Sequence, residues 1–166
     1  GGTMDGSGGS SDAAEAVVAE IKAMGGEAIA NGGSVSDRAG AQSMVDDAMN
    51  AWGRVDVLIN NAGILRDKSF SKMTLDDFEM VVNVHLMGAA YCSHAVWPIM
   101  RAQNYGRILM TTSPSGLYGN FGQTNYGAAK MGQVGLMNSM KIEGAKNNIH
   151  TNSIAPVAAT RMTENL

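Results

Sequence analysis

Cysteine is nearly absent from this sequence: Cys92 is the only one in 166 residues. A single thiol excludes an internal disulfide framework and a thiolate metal centre, so no metal site is expected. A reducing cytoplasm is the compartment this usage suggests. Dense runs of Lys and Arg are also missing, and the net charge is -3. Both facts argue against a nucleic-acid or anionic-membrane surface, where clustered positive charge supplies the affinity. No apolar run approaches the ~20 residues needed to cross a bilayer. No basic, apolar, small-residue leader opens the chain, and no fixed-period repeat runs through it. Small-molecule chemistry remains open. With 45% hydrophobic content over 166 residues, the chain has the makings of one packed domain, expected over 1–166.

The segment "GGTMDGSGGSS" is rich in Gly and Ser and has no apolar face, which by composition alone reads as a flexible loop, linker or tag remnant. From Ser11 the pattern becomes helical, with Ala14, Val17, Val18, Ile21 and Met24 on one stripe and Gly25-Gly26 as the stop. A strand-like "EAIANGGSV" follows, then a second helix with Ala41, Met44, Val45 and Met49 on one face. "VDVLIN" is a continuous apolar run of the kind a buried parallel strand shows. A long helical region begins at a capping Thr74 and carries Pro98, which is expected to bend or step it. "GRILMTTS", "NYGAAKMGQVGLMNSMKIEGAKN" and "IHTNSIAP" then read as strand, helix and strand. Strands alternating with helices require right-handed crossovers, so the fold class is α/β, a doubly wound parallel sheet with helices on both faces. The thirteen methionines fall mainly on the helices and suit core gap-filling.

Ligands of such open sheets bind beyond the carboxyl ends of the strands. Three strand ends carry polar or backbone-permissive residues there: "NNAG" from Asn60 to Gly63, Ser113, and Pro156. Tyr126 and Lys130 lie four apart on a helix and so share a face. A lysine ammonium beside a phenol favours the phenolate and lowers the tyrosine pKa from its usual ~10 toward working pH. Ser113, thirteen residues before Tyr126, is placed to hydrogen-bond the same substrate oxygen. Tyrosine and lysine at this spacing are a common accident on helices. Their combination with the strand-end serine and "NNAG" is specific.

"NNAG", followed by a serine thirteen residues before the tyrosine of "YGAAK", resembles the short-chain dehydrogenase/reductase family. The segments "NNAGILRDKSF", "NVHLMG", "SGLYGNFGQTNYGAAK" and "NNIHTNSIAPVAATRMT" are similar to its (3R)-hydroxyacyl-CoA dehydrogenases, and the likeness extends over the whole chain. It implies a Rossmann-type fold and NAD or NADP as cofactor. Tyr126 would be the acid/base, Lys130 would lower its pKa and hold the nicotinamide ribose, and Ser113 would orient the substrate. Asn60, Ala62 and Gly63 would line the cofactor cleft, and Pro156 and Thr160 would lie near the nicotinamide. A homodimer or homotetramer built on the two long helices is implied as well.

Several positions depart from the family pattern. Its catalytic asparagine falls by spacing on His85, which either helps to hold a proton-relay water or is a buried helix residue. Gly33 stands where an acidic residue near the adenine is expected, Pro114 follows the serine, and Gln133 is polar where a subunit interface calls for an apolar residue. The family's N-terminal strand, glycine-rich turn and helix are not seen in these residues, nor is its C-terminal part. The expected sheet is therefore a truncated one with family strands 3, 4, 5 and 6. "EAIANGG" could close up beside "VDVLIN", partner chains could cover the edges, or the chain could be a piece of a longer enzyme. Three functions follow. The first is hydride transfer between NAD(P) and a 3-hydroxyacyl-CoA or similar secondary alcohol, with little nucleotide affinity in these residues alone. The second is an esterase-like hydrolase using Ser113 with Tyr126 and Lys130. The third is a non-catalytic remnant.

Overall fold

Asp5 and residues 11–157 are described in a computed structural model. Three strands, β1 (Val57–Asn60), β2 (Gly106–Thr111) and β3 (Ile149–Ile154), form one parallel sheet in the order β1-β2-β3. The register pairs Val57 with Arg107 and Gly106 with Ile149. Helices α1 (Asp12–Ala23), α2 (Arg38–Trp52), α3 (Leu75–Val82), α4 (Gly88–Gln103), α5 (Pro114–Tyr118) and α6 (Thr124–Gly144) fill the connections.

Burial alternates along the strands, so the sheet is covered on one face. Leu58, Ile108, Met110 and Ile149 join Val45 of α2, Ala95, Val96 and Met100 of α4, and Met140 of α6 in a single core. Val57, Ile59 and Ile154 project from the other face and are exposed. The helices expected on both faces are thus observed on one. Met100 and Met110 are wholly buried, in keeping with gap-filling, whereas Met24 and Met131 are exposed. On α1 only Val18 of the expected stripe is buried, and Val17 and Met24 face solvent.

The fourth strand, expected at residues 27–35, does not form, and residues 27–33 do not pair beside β1. Side-chain bonding explains this. Asn31 Nδ2 donates to Asp47 Oδ2 at 2.6 Å, and Asn31 Oδ1 accepts the Gly33 N–H at 2.7 Å. Local side-chain bonds of this kind compete with a ladder, and Gly32 and Gly33 weaken strand preference further.

Pro98 lies inside an unbroken α4. The step in the long helical region instead falls at residues Asn83–Met87, a π-helical turn between α3 and α4. Such turns insert one extra residue and re-aim the side chains they carry. Here the buried one is His85.

Candidate active site

Parallel strands deliver their carboxyl ends to one edge, and there the end of β2 and the segment after β1 meet the first turns of α6. Ser113 has extended backbone and caps α5, its Oγ accepting the Ser115 N–H at 3.2 Å. Pro114 occupies the first turn of that helix, where its missing N–H costs nothing and its fixed φ suits the start. This accounts for a proline that looked out of place beside the serine. Thr112 Oγ1 donates to the Lys130 carbonyl at 2.8 Å and ties β2 to α6.

Tyr126 and Lys130 share a face as expected, with Nζ of Lys130 5.3 Å from the centroid of the Tyr126 ring. The ammonium donates to the Thr111 carbonyl. It is buried and has no carboxylate partner within ion-pair distance among the described residues. Desolvation brings its pKa down to about 8. Burial also pushes the Tyr126 phenol above its ordinary value, against a hydrogen bond with Ser113 that pulls it down; the Asp67 carboxylate adds to the rise. The phenolate expected from Lys130 is therefore not the resting state. The lysine sits against the ring and is held at the Thr111 carbonyl, so burial outweighs it.

His85 is 3% exposed and lies edge-on to Tyr126, with ring centroids 5.1 Å apart and planes at 89°. Its Nε2 is 2.8 Å from the Ile64 carbonyl and 3.1 Å from the Ile64 N–H. Desolvation, then the Lys130 charge, lowers its pKa to about 4, while the Ile64 bond works the other way. The ring is neutral near pH 7. Gly63 makes room for it, since a Cβ there would stand 2.3 Å from His85 Cε1.

The remaining expected residues divide. Asn60 is buried and donates through Nδ2 to Ser93 Oγ at 3.1 Å, so its amide serves the core. Asn60, Asn61, Ala62 and His85 nevertheless border one cavity of about 100 Å³ at the β1 end. Pro156 is exposed just beyond β3. Thr160 lies outside the described residues. Gln133, expected at a subunit surface, is 1% exposed and points inward to the same cavity.

Asn125 and Gln123 carry structural roles that the sequence did not single out. Asn125 is wholly buried and donates to the carbonyls of Arg66 at 3.2 Å and Asp77 at 3.4 Å, while its Oδ1 takes the Tyr126 N–H at 2.7 Å. Gln123 donates to Asp67 at 2.6 Å, and Lys68 N–H donates to the Gly122 carbonyl at 2.9 Å. Together they clasp the segment after β1 to the start of α6. The polar run "GQTN" just before Tyr126, at a helix start where N–H groups need acceptors, was the available signal.

Residues 6–166 match the short chain dehydrogenase family, and this chain belongs to it. It is 58% identical over its whole length to the peroxisomal hydratase-dehydrogenase-epimerase of Saccharomyces cerevisiae, covering 18% of that protein. It is 51% identical to a putative short-chain type dehydrogenase/reductase of Mycobacterium tuberculosis, again over its whole length and covering 58% of that protein. A solved short chain dehydrogenase from Mycobacterium avium superimposes with a TM-score of 0.89 at 39% identity, over all of this chain and 59% of that one. The full-length peroxisomal multifunctional enzyme type 2 of Drosophila melanogaster gives 0.78 at 48% identity, over 89% of this chain and 25% of that one. The chain thus spans less than two thirds of the length of each of these relatives. The yeast and mycobacterial relatives carry dehydrogenase or reductase in their names. The cytoplasmic expectation is corrected here: the matching enzymes of yeast, Dictyostelium, fly and mouse are named as peroxisomal. A lone buried cysteine tells only that a compartment is reducing, which is why the sequence did not distinguish the two.

Proposed function

We propose that this chain carries the acid–base half of a dehydrogenase that moves hydride between NAD or NADP and a secondary alcohol or ketone of the 3-hydroxyacyl-CoA class. One observation supports this above the others: Ser113, Tyr126 and Lys130 converge where β2 ends and α6 begins, with the Ser113 hydroxyl near enough to the phenol to lower its pKa and Lys130 against its ring. The name of the yeast relative, a hydratase-dehydrogenase-epimerase, and that of a 44% identical Synechocystis relative, a 3-oxoacyl-[acyl-carrier-protein] reductase, favour the hydroxyacyl substrate class.

In carbonyl reduction the Tyr126 hydroxyl gives its proton to the substrate oxygen, and the raised phenol pKa keeps that proton in place at neutral pH. Ser113 holds the same oxygen through its hydroxyl. In alcohol oxidation Tyr126 takes the proton back, and the buried Lys130 ammonium is the nearby charge that favours the phenolate so formed. The nicotinamide, when bound, supplies or accepts the hydride. The residues present fit it in part: a lysine ammonium has three donors, and Lys130 spends one on Thr111, leaving others for ribose hydroxyls. Asn60, Ala62 and Gly63 would border the cleft, with Pro156 on the nicotinamide side.

A hydrolytic role for Ser113 has no support. Its Oγ accepts a backbone N–H as a helix cap. The exposed Met131 and Ile142 on α6 suit a homodimer or homotetramer contact, which sedimentation would show. The function is tested by following NADH and NADPH absorbance with (3R)- and (3S)-hydroxyacyl-CoA on the native polypeptide that carries these residues. Turnover is expected with one cofactor and one hydroxyacyl epimer; absence of turnover with all four combinations would refute the reading.

A further inference from the structure

A π-helical turn leaves main-chain carbonyls outside the regular ladder, so its shape depends on what holds them from outside. Gln133 does this: its Nε2 donates to the His85 carbonyl at 2.8 Å, in full burial. Gln133 lies on α6, three residues past Lys130 and seven past Tyr126, a spacing that keeps all three on the inner side of the helix. The turn that carries His85 is therefore tied to the helix that carries the acid–base pair. At its other edge, the His85 ring is fixed by the Ile64 main chain and by contact with Gly63. Side-chain Oε1 of Gln133 and Nδ1 of His85 have no hydrogen-bond partner among the described residues, and both residues border the 100 Å³ cavity. The donor side of the amide is thus committed to the turn, while its acceptor side makes no hydrogen bond among the described residues.

We infer that Gln133 is a positioning residue: by holding the His85 carbonyl it fixes the π-helical turn and with it the His85 ring edge-on to Tyr126. The catalytic sense of this rests on Tyr126 as the acid/base, but the geometry does not. Gln133 touches none of the groups placed at the substrate, and it acts through the turn alone. An amide at this place gives the His85 carbonyl a donor that an apolar side chain would lack, which explains why a buried position keeps a polar residue.

The test is nuclear magnetic resonance on the free chain, which does not depend on turnover. In the wild type we expect His85 15N signals of one neutral tautomer, ring-to-ring NOEs between His85 and Tyr126, and slow solvent exchange of the Gln133 side-chain NH2. In Gln133→Met, with an unchanged circular dichroism spectrum, the NOEs should be lost and the two His85 nitrogens should move toward averaged shifts. Wild-type NOEs and shifts in that variant would overturn the proposal. Should Gln133→Met fail to fold, the wild-type exchange rate decides: protection of the NH2 by tenfold or more over a free glutamine supports the bond, and free exchange overturns it. An enzyme without turnover but with these signals would refute the proposed function and leave the positioning role standing.

Discussion

Lowering the pH from 7.5 to 5 should destabilise this fold through one side chain. His85 is held neutral by burial, with a folded pKa of about 4 against 6.5 in the open chain. Between those values the unfolded chain binds a proton that the folded chain refuses, so stability falls as pH falls. Each pH unit below 6.5 costs about 1.4 kcal/mol, which makes about 2 kcal/mol at pH 5. Set against the ~5–15 kcal/mol typical of a domain, that is a sizeable loss. Asp56 and Asp77 are held below their ordinary values by Arg54 and Arg66, so their contributions fade only below the usual carboxylate range, outside this window. Urea unfolding followed by the fluorescence of Trp52 and Trp97 at pH 7.5, 6.5, 5.5 and 5 reads the slope. His85→Asn should unfold with a shallower dependence over the same range, whatever its absolute stability. A flat wild-type profile, or an equal slope in the variant, would refute the assignment of His85 as a buried neutral base.

Further outcomes follow from the same contacts. Asn125→Ala should cost about 2–3 kcal/mol in urea unfolding, because it strips hydrogen bonds from two carbonyls and from the Tyr126 N–H in a wholly buried place; a cost below 0.5 would contradict the clasp. Gly63→Ala should cost about 1–3 kcal/mol and shift the His85 15N signals, since its Cβ would fall within 2.3 Å of the ring. Lys130→Met should stabilise the fold at pH 7 by up to about 3 kcal/mol, the cost of keeping an ammonium charged where its pKa has dropped from 10.5 to about 8. That gain should shrink as the pH rises from 8 toward 10.5, where the folded wild type sheds the proton and the unfolded chain keeps it. A destabilised Lys130→Met at pH 7 would contradict the buried-charge picture.

Much of the site was legible because its chemistry follows chain order. Ser113 lies two residues past the end of β2 and Tyr126 and Lys130 share one helical face, and period and spacing are local properties that the sequence prints directly. The core stripe of α2 was legible for the same reason, with Ala41 and Val45 buried as expected. Misread elements depended on distant partners. "EAIANGG" has strand composition, yet a strand needs a neighbour, and Asn31 found Ser43 and Asp47 instead. Pro98 looked like the obvious break, but the step went to the residues around His85, which no propensity marks. The Tyr126 pKa was misjudged because a pair spacing shows the neighbouring charge and not the burial, and here burial dominates. Gln133 seemed misplaced only while its partner, a main-chain carbonyl 48 residues away, was out of sight.

The most direct test of the acid–base site is kcat for 3-oxoacyl-CoA reduction by Tyr126→Phe in the native polypeptide. The ring, its contact with His85 and its packing are kept, and only the proton-bearing oxygen is removed. A loss of about 10²–10⁴-fold in kcat with an unchanged melting temperature is expected for a general acid. A variant that retains more than a tenth of the wild-type kcat would show that the proton comes from elsewhere.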